Sequence, residues 1–368
     1  MYFLFKESGV GFVKNDEFKL DVSALRELAE KIFHAYGMPV ENAKIVADCL
    51  ITADLRGVTS HGIVRVKSYL ERAQKENWNP DPKFNFCTHG AVCVMDGDDG
   101  FGSLVGTAAM EKAVELAKIH GVGVCSVRNS SHFGMAAYYP LMAAEQDMIG
   151  FCCTNGVSNL APYGAKQGML GTSPFAIAAP VQDKPPIVLD ISCSVSARGR
   201  ISNAKREGKT IPLGWAIDKD GNPTTDPAAA LVGAILPFGG HKGSGMSLII
   251  DVLCGVLNGG STAMHVREDP TKGPGTGHFF VAFDISAFEP INEFKARAKC
   301  FVEELKTAEK APGISEIFVP GEQADRRISY NLEHGITVGA GALRELYEVS
   351  EKYEIGINPY DLIIEDCT

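Results

Sequence analysis

Apolar positions recur at helical spacing near both ends of this chain and in short runs through its middle. Leu25, Leu28, Ala29, Ile32, Phe33 and Tyr36 fall on one stripe of a helix. Asp21 or Ser23 can cap its start, and Gly37 ends it. A second helical pattern follows Pro39, with Ala43, Val46, Ala47, Leu50, Ile51 and Leu55, and stops at Gly57. A third follows Ser60-His61-Gly62, with Ile63, Val66, Tyr69 and Leu70. The first ~75 residues are therefore expected to be all-helical.

The pattern changes at Asn79-Pro80-Asp81-Pro82. Strands are expected at 91–95, 121–127, 149–154, 175–179, 187–190 and 279–283, and helices at 103–120, 135–146 and 246–257. Such alternation points to an α/β core. Helical spacing returns over 291–307 and 339–353, separated by a loop with a short strand at 312–320. The expected organisation is an α/β cofactor-binding domain over 81–289. Beside it stands one helical subdomain built from both chain ends, 1–80 and 290–368.

Bulk properties narrow the function. A net charge of -10 and a pI near 5.4 argue against a nucleic-acid partner. No apolar run reaches the ~18 residues a membrane helix needs. Residues 1–7 lack the basic region and long apolar core of a signal peptide. A cytoplasmic protein with no membrane association is expected. The ten cysteines include no Cys-x-x-Cys pair, so reduced thiols are expected and no metal.

Several stretches carry chemistry. Asn129-Ser130-Ser131-His132-Phe133-Gly134 lies between an expected strand and a helix start, where Asn and Ser can cap. His132 thus stands at a strand end, where α/β proteins place ligands. Its imidazole can exchange a proton near neutral pH; a capped structural histidine is the competing reading. Arg65 and Tyr69 lie one turn apart beside Ser60 and His61. A guanidinium fork, hydroxyls and an imidazole suit a carboxylate, although Ser60 also reads as a simple cap.

Gly100-Phe101-Gly102-Ser103-Leu104-Val105-Gly106 follows a strand and opens a helix, but its third glycine is one residue late for a dinucleotide fingerprint. It reads as a plain Gly-rich turn. Thr154-Asn155, Pro162-Tyr163-Gly164 and Gly171-Thr172-Ser173-Pro174 suit a phosphate or ribose loop, although in isolation they read better as ordinary turns. Asp190 closes an apolar strand before Ile191-Ser192, placed to touch a cofactor, orient a histidine or cap the next segment. Gly239-Gly240-His241-Lys242-Gly243-Ser244-Gly245 brings glycines and a lysine to a helix start, the ingredients of anion binding. It lacks the Walker order.

Taken together and in order, these stretches resemble the malate/lactate/ureidoglycolate dehydrogenase family, a non-Rossmann group that includes sulfolactate dehydrogenases and cyclic-imine reductases. The markers are Ser60-His61-Gly62 with Arg65, Ser131-His132-Phe133-Gly134, Pro162-Tyr163-Gly164, Leu189-Asp190-Ile191, Thr224-Thr225-Asp226-Pro227 and Lys242-Gly243. The resemblance runs from about Leu25 to about Ile328. It implies a non-Rossmann mixed-sheet α/β core with a helical subdomain from both chain ends, and a homodimer or larger assembly with the active site near the subunit contact. It implies NAD(P)-dependent interconversion of a small 2-hydroxy acid and its 2-oxo acid, with NAD favoured and malate/oxaloacetate the first substrate. Ureidoglycolate, sulfolactate, lactate or a cyclic imine are the rivals. A non-catalytic dinucleotide-binding protein is the alternative of another class, opposed by the presence of His132 and Arg65.

The resemblance makes His132 the general acid/base and sets Ser60, His61, Arg65 and Tyr69 on the substrate side. It sets Thr154, Asn155, Gly156, Asp190, Ile191, Ser192, His241 and Lys242 against the dinucleotide, with Pro162, Gly164, Thr172 and Gly243 assigned to the same side. Some relatives carry serine where Gly156 stands, so a contact there has to come from backbone.

Overall fold

The computed structural model describes residues 2–6, 9–13, 17–267 and 273–366. They form two units, one of residues 1–75 with 323–368 and the other of residues 76–322. In chain order, the first unit opens with a hairpin, β1 (Tyr2–Lys6) and β2 (Gly9–Val13), then β3 (Glu17–Leu20). Helices α1 (Val22–Ala35) and α2 (Val40–Leu55) follow, then two 3-10 turns at Thr59–His61 and Ile63–Arg65 and α3 (Val66–Glu76). Asp21 caps α1, its carboxylate accepting from the Ala24 N–H at 2.8 Å.

The second unit contains β4 (Asn85–His89), β5 (Val92–Gly100), α4 (Gly102–His120), β6 (Val122–Ser130), α5 (Tyr138–Ala144) and β7 (Met148–Thr154). It continues with β8 (Phe175–Val181), β9 (Lys184–Ile191), α6 (Arg198–Arg206), β10 (Ala216–Ile217), β11 (Pro223–Thr224), α7 (Pro227–Val232) and β12 (Ala234–Ile235). Last come α8 (His241–Asp251), prolonged by a π-helical turn at Val252–Val256, then β13 (Thr276–Asp284) and α9 (Ile291–Lys306). The chain returns to the first unit with α10 (Glu322–His334), β14 (Ile336–Gly339), α11 (Ala340–Lys352) and β15 (Ile363–Asp366).

A mixed sheet of seven strands, in the order β4-β5-β6-β13-β7-β8-β9, is the frame of the second unit. Only β5 and β6 run parallel, joined through α4; every other neighbouring pair is antiparallel. Alternate residues of a strand face opposite sides of a sheet. Gly123 lies against α4, where a Cβ would come within 1.8 Å of the Ala113 carbonyl. Ser126, three residues on, donates to the Leu253 carbonyl of the π turn at 3.4 Å. Thus α4 and the π turn cover opposite faces of β6. This is an α/β core of the non-Rossmann, mixed-sheet kind.

Three local expectations are corrected. The first ~75 residues are not all-helical, since β1, β2 and β3 precede α1. β3 pairs with β14 and β15 from the other end of the chain, so nothing near it in sequence announces a strand. The helix after His132 starts at Tyr138, not Met135, and its N-cap Ala137 makes no side-chain cap bond. A start at Met135 would put Pro140 in the second turn, where its missing N–H breaks the ladder; a start at Tyr138 keeps it in the first. Asn129 and Ser130 end β6 rather than capping. Residues 312–320 hold no strand: the Pro320 carbonyl accepts from the Val188 N–H of β9 at 3.0 Å, as loop backbone.

Candidate active site

The strand registers gather the candidate residues of the second unit along one end of the sheet. Gly100 of β5 pairs with Ser130 of β6, and Ser130 with Thr276 of β13. His278 pairs with Thr154 of β7, and Phe175 of β8 with Ile191 of β9. The His132 loop, Thr154–Gly156, Thr172 and Asp190–Ser192 all leave the sheet at this end. The Asp190 carboxylate ties two of them, accepting from the Ala137 N–H at 2.9 Å. It therefore serves the start of α5.

Between Ser130 and Ala137, His132 is the one residue that is not buried. Its neighbours are anchored on every side. The Ser131 hydroxyl accepts from the Gly102 N–H at 2.8 Å. A Cβ at Gly102 would lie 2.4 Å from the Ser131 carbonyl and 2.5 Å from His132 backbone. The Gly-rich turn that failed as a dinucleotide fingerprint is thus the seat of the His132 loop. Phe133 stacks on Tyr139 with ring centres 4.9 Å apart, and the Tyr139 hydroxyl donates to the Phe133 carbonyl. The His132 Nδ1 accepts from the Gly134 N–H at 3.2 Å.

His278, which the sequence did not single out, lies fully buried behind this loop. Its Nε2 is 2.8 Å from the Ser130 hydroxyl and its Nδ1 2.8 Å from the Thr154 hydroxyl. Its ring stacks on Phe133 at 4.7 Å with the planes 8° apart. Burial drives its pKa down to about 3, against the opposing effect of the Ser131 and Gly277 backbone, so the ring is neutral. The available signal was a lone polar residue inside the apolar run Phe279-Phe280-Val281 and its approach.

Asn155 is also internal. Its amide donates to Asp251 at 3.0 Å and to the Ser261 carbonyl at 2.8 Å, and its oxygen accepts from the Gly277 N–H at 2.9 Å. Thr154 is buried and its hydroxyl lies 3.0 Å from the carbonyls of both Asn155 and Gly277. Gly156 differs: a Cβ there would meet open space. Thr172 uses its carbonyl to accept from the Cys193 N–H at 2.7 Å. Ser192 shares a hydrogen bond with Ser194 at 2.9 Å, while Ile191 is exposed.

At the start of α8, His241 and Lys242 are exposed, and Gly239 and Gly240 adopt positive φ of 55° and 62°. Gly243 is buried because a Cβ would come within 2.6 Å of the Cys193 carbonyl. Its N–H donates to the Phe238 carbonyl at 2.9 Å. The side chains of His241 and Lys242, rather than a full ring of amides, are what this turn offers an anion. Pro162 is half-buried and Gly164 exposed, with a positive φ of 88°. Between them the exposed Tyr163 donates its N–H to Ser244 at 3.0 Å and sets its ring edge-on to His241 at 6.0 Å.

The first unit holds Ser60, His61, Arg65 and Tyr69 along its two 3-10 turns and the start of α3. The Ser60 hydroxyl is 2.9 Å from His61 Nδ1, and Arg65 Nε donates to the Ser60 carbonyl at 2.6 Å. Burial, and then the Arg65 charge, lower the His61 pKa to about 4, so its ring is neutral at pH 7. Tyr69 is buried, which pushes its pKa up and keeps its hydroxyl protonated. Beneath the turn sits Asp54, unforeseen from the sequence. Its carboxylate accepts from the Ile63 N–H at 2.6 Å and lies 1.9 Å from where a Gly62 Cβ would be. Burial, opposed by the Ile63 N–H, raises its pKa to about 7.

The nine described cysteines are free, and all but Cys87 and Cys300 are buried. Among the described residues no helix is long and apolar enough to cross a membrane.

Residues 20–347 match the malate/L-lactate dehydrogenase family. A malate dehydrogenase from Pyrococcus horikoshii is 39% identical over 93% of this chain and 97% of its own. An L-sulfolactate dehydrogenase from Methanocaldococcus jannaschii is 40% identical over 92% and 97%. The crystal structure of malate dehydrogenase from Entamoeba histolytica superposes with a TM-score of 0.89 at 33% identity, covering 92% of this chain and 98% of that one. The mixed sheet and these likenesses agree, and the chain belongs to the malate/L-lactate dehydrogenase family of oxidoreductases.

Proposed function

We propose that this protein interconverts a small 2-hydroxy acid and its 2-oxo acid, with malate/oxaloacetate the foremost pair and NAD the cofactor. The observation that carries the reading is the His132 loop. It presents a single half-exposed imidazole at the sheet end, with buried anchors on both sides. Two malate dehydrogenases, 39% and 38% identical, support the substrate, and a 32%-identical ureidoglycolate dehydrogenase whose name specifies NAD(+) supports the cofactor.

The residues present suit a dinucleotide. His241 and Lys242 supply donors and positive charge for the pyrophosphate, Tyr163 and Ile191 offer exposed surface, and Gly156 leaves space beside the strand ends. When bound, the nicotinamide supplies or takes up the hydride. His132 delivers a proton to the carbonyl oxygen during reduction and accepts it in reverse. In the first unit Arg65 offers a fork suited to a carboxylate, beside Ser60 and neutral His61. Neutral His61 donates or accepts a hydrogen bond but is not the acid, because its pKa lies near 4.

The protein acts as a homodimer in this reading. Leu248, Ile249, Val252, Val256 and Leu257 recur along α8 and its π turn and are 40–62% exposed, a row that a second copy would cover. Free buried thiols suit a reducing compartment such as the cytoplasm.

The test follows NADH and NADPH oxidation with a panel of 2-oxo acids and a cyclic imine. Oxaloacetate with NADH is expected to give the highest kcat/KM. His132→Ala is expected to lower kcat by roughly 10² to 10⁴ with NADH binding kept. His132→Asn should not restore the rate, since an amide cannot deliver a proton. Near-normal turnover by His132→Ala, where hydride transfer is limiting, rejects the assignment.

A further inference from the structure

We propose that His278 is a positioning residue for proton transfer at His132. It clamps the His132 loop to the strand end that carries Thr154, through two side-chain hydrogen bonds and a ring stack. The inference rests on the reading of His132 as the proton donor.

The Thr154 hydroxyl lies 3.0 Å from the carbonyls of Asn155 and Gly277 and 2.8 Å from His278 Nδ1. The neutral ring carries one N–H, so of the Thr154 and Ser130 hydroxyls, each 2.8 Å from a ring nitrogen, one accepts from the ring and the other donates to it. The ring is thus a bridge held at both nitrogens. It links β6, β13 and β7 by side chains just where their backbone pairing ends, and the β13–β6 register shifts between Thr276 and His278.

The clamp reaches the catalytic loop twice. Ser130 stands two residues before His132 and Phe133 stands one after it. His278 holds the first by hydrogen bond and the second by a face-to-face stack at 4.7 Å. Phe280, two residues along β13 and so on the same face, supports the stack from 6.4 Å edge-on. His278 itself is 0% exposed and cannot meet substrate. Its influence on the reaction has to pass through the placement of His132, and misplacements of about 1 Å cost up to about 100-fold in rate.

The experiment compares His278→Phe and Ser130→Ala with wild type and His132→Ala. Phenylalanine keeps a flat ring on Phe133 but removes both hydrogen bonds; Ser130→Ala removes one bond and leaves the histidine. Active sites are counted by NADH titration, so that rates refer to folded protein. Both variants are expected to lower kcat by roughly 10- to 100-fold, with KM for oxaloacetate and Kd for NADH unchanged. A purely structural role would reduce Tm and leave kcat per site intact. Unchanged kcat per site in His278→Phe overturns the proposal. If that variant does not fold, Ser130→Ala decides by the same measure. A raised NADH Kd with normal kcat also overturns it, by assigning His278 to the cofactor side. Normal kcat in His132→Ala removes the underlying reading and this inference with it. A fall in His132→Ala without one in His278→Phe rejects the inference alone.

Discussion

Two glycines and a carboxylate show how little freedom single residues have here. Gly102 leaves room for the backbone of Ser131 and His132, which a methyl group would strike at 2.4–2.5 Å, and Gly62 leaves the same room for Asp54. Gly102→Ala should therefore displace the loop and lower kcat about tenfold or more, at a stability cost of about 1–3 kcal/mol; steady-state kinetics and denaturant unfolding check both. Asp54 makes a prediction about pH. Below about 3.8 its carboxyl is protonated whether the chain is folded or not. Between 3.8 and about 7 only the unfolded chain ionises it, because burial holds the folded pKa near 7. Stability should then fall as pH rises through that window, by about 4 kcal/mol for about three units, and level off above it. Asp54→Asn keeps an acceptor for the Ile63 N–H and should flatten this dependence, read from unfolding free energies at pH 5 and pH 8. His132 was legible because loop histidines are few. His278 and Asp54 were not, because a polar residue in an apolar strand or helix reads as an ordinary core position until its partners are known.

Among the elements, α8 and its π turn separate what periodicity tells from what it hides. The run Met246–Leu257 is apolar enough to announce a helix. A helix apolar all round is buried or covered, and sequence does not say by what. Ile250 and Cys254 face the core while Leu248, Ile249, Val252 and Val256 face outward. Val252→Asp combined with Val256→Asp is expected to convert a dimer to a species of half the mass in light scattering, with the fold kept by circular dichroism. A wild-type protein already monomeric at micromolar concentration refutes the dimer. Other elements were hidden for local reasons. Pro140 shortened α5, and β4 went unseen because Asn85–His89 is exposed throughout and shows no alternation.

The chain as a whole is two units, one of which is interrupted by the other. The mixed sheet, β4 apart, was legible as α/β alternation, since β5, α4 and β6 follow one another and the other strands are apolar runs. The three-stranded sheet β14-β3-β15 was not, because its partners lie at opposite ends of the sequence. Closing a loop of about 300 residues to pair β3 with β14 carries an entropy that grows with the logarithm of loop length. Within residues 76–322 the pairing of β6 with β13 closes a loop of only about 150 residues. In refolding followed by pulsed hydrogen exchange, amides of β6, β7 and β13 should gain protection before those of Ile336–Gly339. Simultaneous protection, or the reverse order, would contradict this.

The side chains of the His278 clamp and the neighbouring Asn155 share one property: they are deaf to acid and base. Ser130, Thr154 and the Asn155 amide carry no charge to lose, and His278 stays neutral down to about pH 3. In the proposed reaction His132 gains and sheds a full charge in every cycle. A frame of carboxylates or exposed imidazoles would answer each swing with a proton of its own and settle differently each time. Aspartate at 155, for instance, would set a second acid against Asp251 3.0 Å away and make the strand end breathe with pH. Built from amide, hydroxyls and a silenced ring, the frame has no such reply, and His132 returns after each proton exchange to the place it left.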